Sequence, residues 1–257
     1  MAAPGTQPAR IAPMLRLNPV LDRRALAAAY ARDGYVQVET LFPDPVAEAI
    51  EAALHRTRWR LVFLNSAGEI RTLSDNGLRH LTPARLAELN DDLMRRAASG
   101  FGFAYHFYPM AETLLAGEDR GHPLHDLVRF LNGREWLDFG RTVIGCDTIS
   151  RTDAQATLYA PGDFLTRHDD DYGNDVDRRA AFVIGFARNW RADWGGQLQL
   201  LDSSDRVETA LVPRFNVATF FRVPRWHCVS YVPPYAGLGR YSVTGWLDHG
   251  RIDLPAR

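Results

Sequence analysis

The chain contains no lysine; all thirty of its basic residues are arginine. A Walker-type phosphate loop needs a lysine beside the phosphates, and Schiff-base chemistry, including that of pyridoxal phosphate, needs a lysine amine. Both are excluded. With so much alanine, glycine and proline present, a GC-rich coding bias is the ordinary explanation for the missing lysine. Cysteine is almost as scarce: Cys146 and Cys228 cannot build a disulfide framework, so a reducing cytoplasm is the expected setting. The formal net charge is only −1, which leaves no basic field for nucleic acid or an anionic membrane. No run approaches the roughly 18 apolar residues of a bilayer span. The first twenty residues hold Pro4, Pro8, Pro13 and Pro19 without an apolar core, unlike a signal peptide. Residues 1–20 are therefore expected to form a flexible lead-in.

Hydrophobic residues make up 46% and charged residues 24% of the 257, enough for one large core, and residues 21–257 are expected to form one domain. Its first part, 21–145, reads as mainly helical support. Asp22 caps a helix over Ala25–Arg32, Gly34 ends it, and a short strand Tyr35–Glu39 follows. Apolar residues at helical spacing predict helices over Pro45–Arg58 and Pro83–Ala98, then a pair over His122–Asn132 and Glu135–Val143. Trp59–Leu64 reads as extended. Near Cys146 the period changes to two, and the core is placed at 146–250. Eight short strands are predicted there: Ala154–Tyr159, Phe164–His168, Ala180–Ala187, Gln197–Leu201, Val207–Val212, Asn216–Phe221, His227–Val232 and Tyr241–Leu247. Turn signals such as Pro161-Gly162, Gly195-Gly196 and Pro233-Pro234 separate them. This spacing suggests a sandwich or jelly roll, with the helices buttressing one face.

Within that region, Arg167-His168-Asp169-Asp170-Asp171 follows a predicted strand. Residues i and i+2 of a strand share a face, so His168 and Asp170 can meet one metal while Asp169 points away. A later histidine on a facing strand, His227, completes two histidines and one carboxylate, a set that leaves three positions of an octahedral iron(II) open. The triplet alone is weak, since a chain of this composition contains roughly 0.7 His-x-Asp triplets by chance. Order and context raise it. Tyr159-Ala160-Pro161-Gly162-Asp163-Phe164 precedes the triplet, Gly195-Gly196-Gln197-Leu198 lies between the ligands, and Arg240-Tyr241-Ser242-Val243-Thr244-Gly245-Trp246 follows His227 after a Pro/Gly-rich loop. Other features have plainer readings. His122 and His125 beside Asp126 form a second possible metal pair, but read better as a capped helix start. Trp246 reads as core, and Cys228, next to His227, as packed away from the site.

Taken together, these motifs over Ala154–Leu247 resemble the 2-oxoglutarate/iron(II) oxygenases of the prolyl 4-hydroxylase-like branch. The run Arg178–Ile184 and Trp190 through Gly196 is most similar to the ribosomal-protein prolyl hydroxylases. The resemblance implies a mainly β fold, a double-stranded β-helix (jelly roll, cupin-like) with iron near its open end. It carries over residue by residue. His168, Asp170 and His227 match the metal ligands, Arg240 the residue pairing with the distal carboxylate of 2-oxoglutarate, and Ser242 and Tyr159 the hydroxyls beside it. The interval from His227 to Arg240 is longer than the family usually shows. The implied cofactors are Fe(II) and 2-oxoglutarate as co-substrate, with ascorbate as a candidate reductant. The implied activity couples oxidative decarboxylation to succinate with hydroxylation of a C–H bond on a prolyl residue of a protein or peptide. Because only ten residues follow Leu247, a second barrel for docking a protein is not in view, and a free amino acid or other small molecule is the alternative substrate. A cupin-type metal enzyme without 2-oxoglutarate and a non-catalytic sensor are the other readings; Arg240-x-Ser242 argues against the first, and an intact triad with an intact anchor against the second. The acidic run Asp171–Asp177 is expected to line the substrate entrance.

Overall fold

The computed structural model describes residues 11–171, 178–250 and 252–255. Helix α1 (Arg23–Asp33) begins where the Asp22 carboxylate accepts the N–H groups of Arg24 and Ala25, and stops at Gly34, whose φ of 71° suits glycine. It is followed by β1 (Tyr35–Val38), α2 (Asp44–His55), β2 (Arg60–Leu64), β3 (Ile70–Ser74), α3 (Asp75–Arg79), α4 (Pro83–Ser99), β4 (Phe103–Tyr108), α5 (Met110–Leu115), α6 (Pro123–Leu131) and α7 (Arg134–Ile144). The strand-rich part then runs through β5 (Arg151–Tyr159), β6 (Phe164–His168), β7 (Arg178–Phe186), β8 (Leu198–Leu201), β9 (Val207–Leu211), β10 (Phe215–Arg222), β11 (His227–Val229) and β12 (Arg240–Asp248). Each of the eight strands expected after Cys146 is present within a few residues of its predicted ends. β3 and β4 were not expected.

The strands join one antiparallel sheet in the order β1-β10-β7-β12-β5-β4-β6-β11-β8-β9, with β2 paired to both β4 and β3. The sheet curls into a half-barrel with a jelly-roll core, the mainly β architecture that the sequence implied. Its convex side is covered by α6 and α7. Trp136 and Phe139 of α7 pack on Phe182 of β7 and Phe220 of β10, with ring centroids 5.2–6.0 Å apart where Trp136 meets Phe182, Trp136 meets Phe220 and Phe139 meets Phe220. Leu124, Leu127, Val128 and Leu131 of α6 join the same core. Trp136 satisfies its buried indole N–H on Thr152 Oγ1, 3.1 Å away. Truncating a side chain of this size in such a core costs roughly 3–5 kcal/mol.

Residues 11–20 do not form the flexible lead-in expected of them. From Ile11 onward the chain is docked: Ile11 and Leu17 are buried in the main core, Ala12 N–H donates to Asp126, and Leu17 N–H donates to Glu135. Prolines keep this segment from being a regular helix, but they do not keep its apolar side chains off the exposed flanks of α6 and α7. Residues 1–10 lie outside the described residues. No helix among the described residues is long and apolar enough to cross a membrane.

At the start of α6 the histidine pair serves the fold. His122 is the N-cap, its Nδ1 accepting the Leu124 N–H, and its ring stacks on Tyr108 at 4.6 Å. His125 lies buried with Nε2 within hydrogen-bonding reach of Tyr108 Oη and Thr113 Oγ1, at 3.1 and 3.2 Å. Burial, and then the neighbouring His125, press the pKa of His122 from 6.5 down to about 4. The unfolded chain therefore takes up this proton near pH 6.5 and the folded chain only near 4, so stability falls as the pH drops through that window. His122→Asn keeps a capping acceptor and removes the titrating ring. By calorimetry, its melting temperature should fall less between about pH 7 and about pH 4.5 than that of the unmutated protein. Equal acid slopes would assign the loss to other groups.

Candidate metal centre and its cavity

β6 ends at His168, and extended conformation ends with it, because Asp170 has φ +63°. His168 and Asp170 therefore do not share one strand face, contrary to the period-two expectation. Asp170 swings back through a left-handed residue, a conformation that aspartate adopts more readily than most side chains. Asp169 is engaged elsewhere: its carboxylate accepts the Asp171 N–H and its carbonyl accepts the Arg225 N–H. His227 opens β11 directly opposite His168 in the antiparallel register, which brings the two imidazole centroids to 4.0 Å.

Nε2 of His168 lies 3.4 Å from one oxygen of Asp170, and Nε2 of His227 lies 3.6 Å from the other. One donor atom from each of the three falls within 4.8 Å of the others. Adjacent ligands about 2.1 Å from one octahedral ion sit about 3 Å apart, so small side-chain movements would close the set on a single ion. The tautomers suit it. His168 Nδ1 faces the Thr166 carbonyl at 2.9 Å and His227 Nδ1 faces the Arg225 carbonyl at 2.7 Å. A carbonyl only accepts, so each Nδ1 carries the proton and each Nε2 presents its lone pair to the centre. Burial, with the adjacent His168, holds His227 down to about 4 and hence neutral near pH 7. Burial pushes the Asp170 carboxyl up. The His168 and His227 rings, when protonated, and the Trp246 N–H outweigh it and hold the group at about 2, ionised.

The three residues stand in a cavity of about 540 Å³. Its wall continues along β12 and β5, which are paired residue for residue: Arg240 opposite Tyr159, Ser242 opposite Thr157, Thr244 opposite Gln155. Arg240 is only 3% exposed, and its guanidinium carbon is 4.8 Å from the centre of the Tyr159 ring. Nε and Nη1 of Arg240 are buried without a hydrogen-bond partner, and burial lowers its pKa. A buried cation with orphaned N–H groups is expensive, and an entering carboxylate would satisfy both charge and geometry. The donors present therefore fit a divalent ion at one end and a carboxylate at the other. Tyr159 is buried, stacked on Tyr105 at 5.2 Å, and burial raises its pKa well above 10, leaving a neutral phenol beside Arg240. Ser242 backs the wall: its hydroxyl pairs with that of Thr157 at 2.8 Å, and Thr157 is the one that lines the cavity.

Two contributors escaped the sequence reading. Trp246 is part of the cavity and donates its indole N–H to Asp170 at 2.8 Å. The β4 segment supplies Phe101, Phe103, Tyr105 and Phe107, which form an apolar wall with Leu64 of β2 and Ile70 of β3. Four aromatics at a spacing of two, bounded by Gly100 and Pro109, were the available strand signal. Of the acidic run expected at the entrance, the part from Tyr172 to Asp177 lies outside the described residues.

With this geometry in hand, likeness to known proteins is informative. Residues 154–248 match the family model of the 2OG-Fe(II) oxygenase superfamily. Over 135 residues the chain is 32% identical to "Prolyl 3-hydroxylase OGFOD1" of Mus musculus, an alignment covering 50% of this chain and 24% of that protein. The chain thus spans about a quarter of this curated relative. Among solved structures, a Pseudomonas putida prolyl-4-hydroxylase is 19% identical, with 89% of this chain and 99% of that one covered and a TM-score of 0.56. A Burkholderia pseudomallei oxidoreductase of the 2OG-Fe(II) oxygenase family is 16% identical, with 92% and 95% covered and a TM-score of 0.58. At such identities these two structures establish the fold.

Two outcomes are expected from the geometry. Asp170→Ala should weaken Mn(II) binding, measured by calorimetry, on the order of 100-fold or more, while Asp169→Ala should change it little; the reverse order would move the centre by one residue. Arg240→Met should raise the melting temperature of the metal-free protein, because it replaces an unpartnered buried charge by an apolar side chain of similar length. The same variant should lose at least about tenfold in 2-oxoglutarate affinity, from the roughly 2–5 kcal/mol typical of a buried charge pair. An unchanged 2-oxoglutarate affinity would place the carboxylate elsewhere.

Proposed function

From the match of residues 154–248 to the family model of the 2OG-Fe(II) oxygenase superfamily, we propose that the chain couples oxidative decarboxylation of 2-oxoglutarate to hydroxylation of a prolyl residue within a peptide or protein. The observation that carries this reading is the pairing, in one cavity, of the His168–Asp170–His227 cluster with a buried guanidinium whose Nε and Nη1 have no hydrogen-bond partner among the described residues. Bound there, Fe(II) with 2-oxoglutarate supplies the oxidising chemistry, consuming dioxygen and releasing succinate and carbon dioxide. The remaining tasks fall to side chains of the chain itself. The two Nε2 atoms and the ionised Asp170 carboxylate hold the metal, and the carbonyls of Thr166 and Arg225 keep both imidazoles in the competent tautomer. Arg240 takes the distal carboxylate as a planar fork, with the neutral Tyr159 phenol beside it and the Thr157–Ser242 hydroxyl pair behind. The aromatic wall of β4 keeps water from the reacting carbon.

The substrate reading rests on charge. Among the described lining residues, His168, Asp170, His227 and Arg240 carry all the histidine, carboxylate and guanidinium groups, and each already has a role. A free amino acid would bring an ammonium and a carboxylate into this space with no charged group among the described lining residues left to meet them, and burying unpaired charges costs several kcal/mol. A prolyl residue flanked by amides brings neither charge. Its ring is of a size and polarity suited to Phe101 and Phe103 of the wall. A match to a relative named prolyl 3-hydroxylase agrees with this class. A reducing, cytoplasmic setting is consistent with two free cysteines. The test is mass spectrometry with parallel succinate assay. Blocked proline-containing peptides should gain 16 Da and stimulate succinate release, and free proline should do neither. Coupled turnover with free proline or a non-prolyl acid alone would overturn the substrate reading and leave the oxygenase reading standing.

A further inference from the structure

Asp170 is an unusual ligand to hold in place. It lies beyond the end of β6, at a left-handed φ, where no strand pairing fixes its backbone. What fixes it comes from elsewhere. Trp246, near the far end of β12, donates Nε1–H to the Asp170 carboxylate at 2.8 Å. Arg178, at the start of β7, lies with its guanidinium carbon 3.8 Å from the centre of the Trp246 ring and donates Nη1–H to the Asp170 carbonyl at 3.4 Å. The oxygen that Trp246 holds is the one facing His227 at 3.6 Å, while the other oxygen faces His168 at 3.4 Å.

We propose that Trp246 is a positioning residue for the metal centre: its indole N–H occupies one lobe of the Asp170 carboxylate, fixes the rotation of that group, and presents it as a single-oxygen ligand. This rests on the assignment of His168, Asp170 and His227 as the metal-holding set. A carboxylate free to rotate can offer both oxygens to an ion and fill two of its positions, whereas the reaction needs those positions for 2-oxoglutarate and dioxygen. One strong N–H donor on one oxygen removes that option. The ring of Trp246 is itself held by Arg178 on its face and by the β12 pairing to β5 and β7, so the donor is rigid. Partners one step removed from a metal typically contribute 10- to 100-fold in metal affinity.

The experiment is Co(II) titration, followed by the visible d–d absorption, of the unmutated protein, Trp246→Phe, Asp170→Ala and the double variant. Phenylalanine keeps a ring for Arg178 and removes the donor together with part of the ring volume, a packing loss that the Asp170→Ala background shares. Trp246→Phe should weaken Co(II) binding at least about tenfold and alter the d–d band. In the Asp170→Ala background the same change should alter affinity less than about twofold, since Trp246 acts through that carboxylate. Binding by Trp246→Phe within about twofold of the unmutated protein, or an equal loss in both backgrounds, would overturn the proposal alone. Failure of the unmutated protein to bind Co(II) would overturn the metal assignment and the proposal with it. Should Trp246→Phe not fold, the indole N–H resonances of the six tryptophans give a second readout by NMR. One of them should move upfield in Asp170→Ala, and the absence of any such shift refutes the hydrogen bond.

Discussion

The candidate site depends on one strand being paired on both sides along most of its length. β12 is hydrogen-bonded to β5 from Arg240 to Asp248 and to β7 from Ser242 onward. Its register decides which of its residues look inward. Arg240, Thr244 and Trp246 line the cavity, so a single strand carries both the proposed co-substrate anchor and the donor that holds Asp170. Because side chains alternate, a slip by one residue would remove both at once. The distance from anchor to metal can change along this strand only in steps of two residues, about 6.8 Å. Finer adjustment has to come from side-chain length, which the extended guanidinium of Arg240 supplies.

Much of this was legible in the residues. The eight strands after Cys146 were marked by alternation and by Pro/Gly punctuation, and both are local signals that tertiary packing did not override here. The His168, Asp170 and His227 cluster was readable as types in order, and the structure brings the three together, but the reason given for it was only half right. His227 meets His168 through the β11–β6 register, as a facing-strand argument requires. Asp170 meets them through a left-handed residue that no period-two rule foresees. Pattern picked out the residue types, and local backbone conformation supplied the geometry.

What the sequence hid was of two kinds. Long-range partners such as Trp246 and Asp170, 76 residues apart, leave no local trace, and an apolar inward tryptophan looks the same whether it packs or donates. The lead-in showed the opposite error. Pro13 and Pro19 suggested looseness, yet Ile11 and Leu17 had apolar surface to cover and the backbone N–H groups of Ala12 and Leu17 had carboxylates to meet. Composition describes what a segment prefers alone, and burial depends on what its neighbours leave open.

The Arg240 guanidinium, whose Nε and Nη1 find no hydrogen-bond partner among the described residues, has a consequence for stability. A fold that buries a cation without a counter-charge is less stable than it could be, and a dicarboxylate that binds only the folded form restores the difference by mass action, by about 2.7 kcal/mol at a hundredfold excess over its dissociation constant. The folded fraction, and with it the protein's resistance to proteolysis, would then rise and fall with the supply of a central metabolite. The anchor would thereby couple the lifetime of the protein to the nutritional state of the cell.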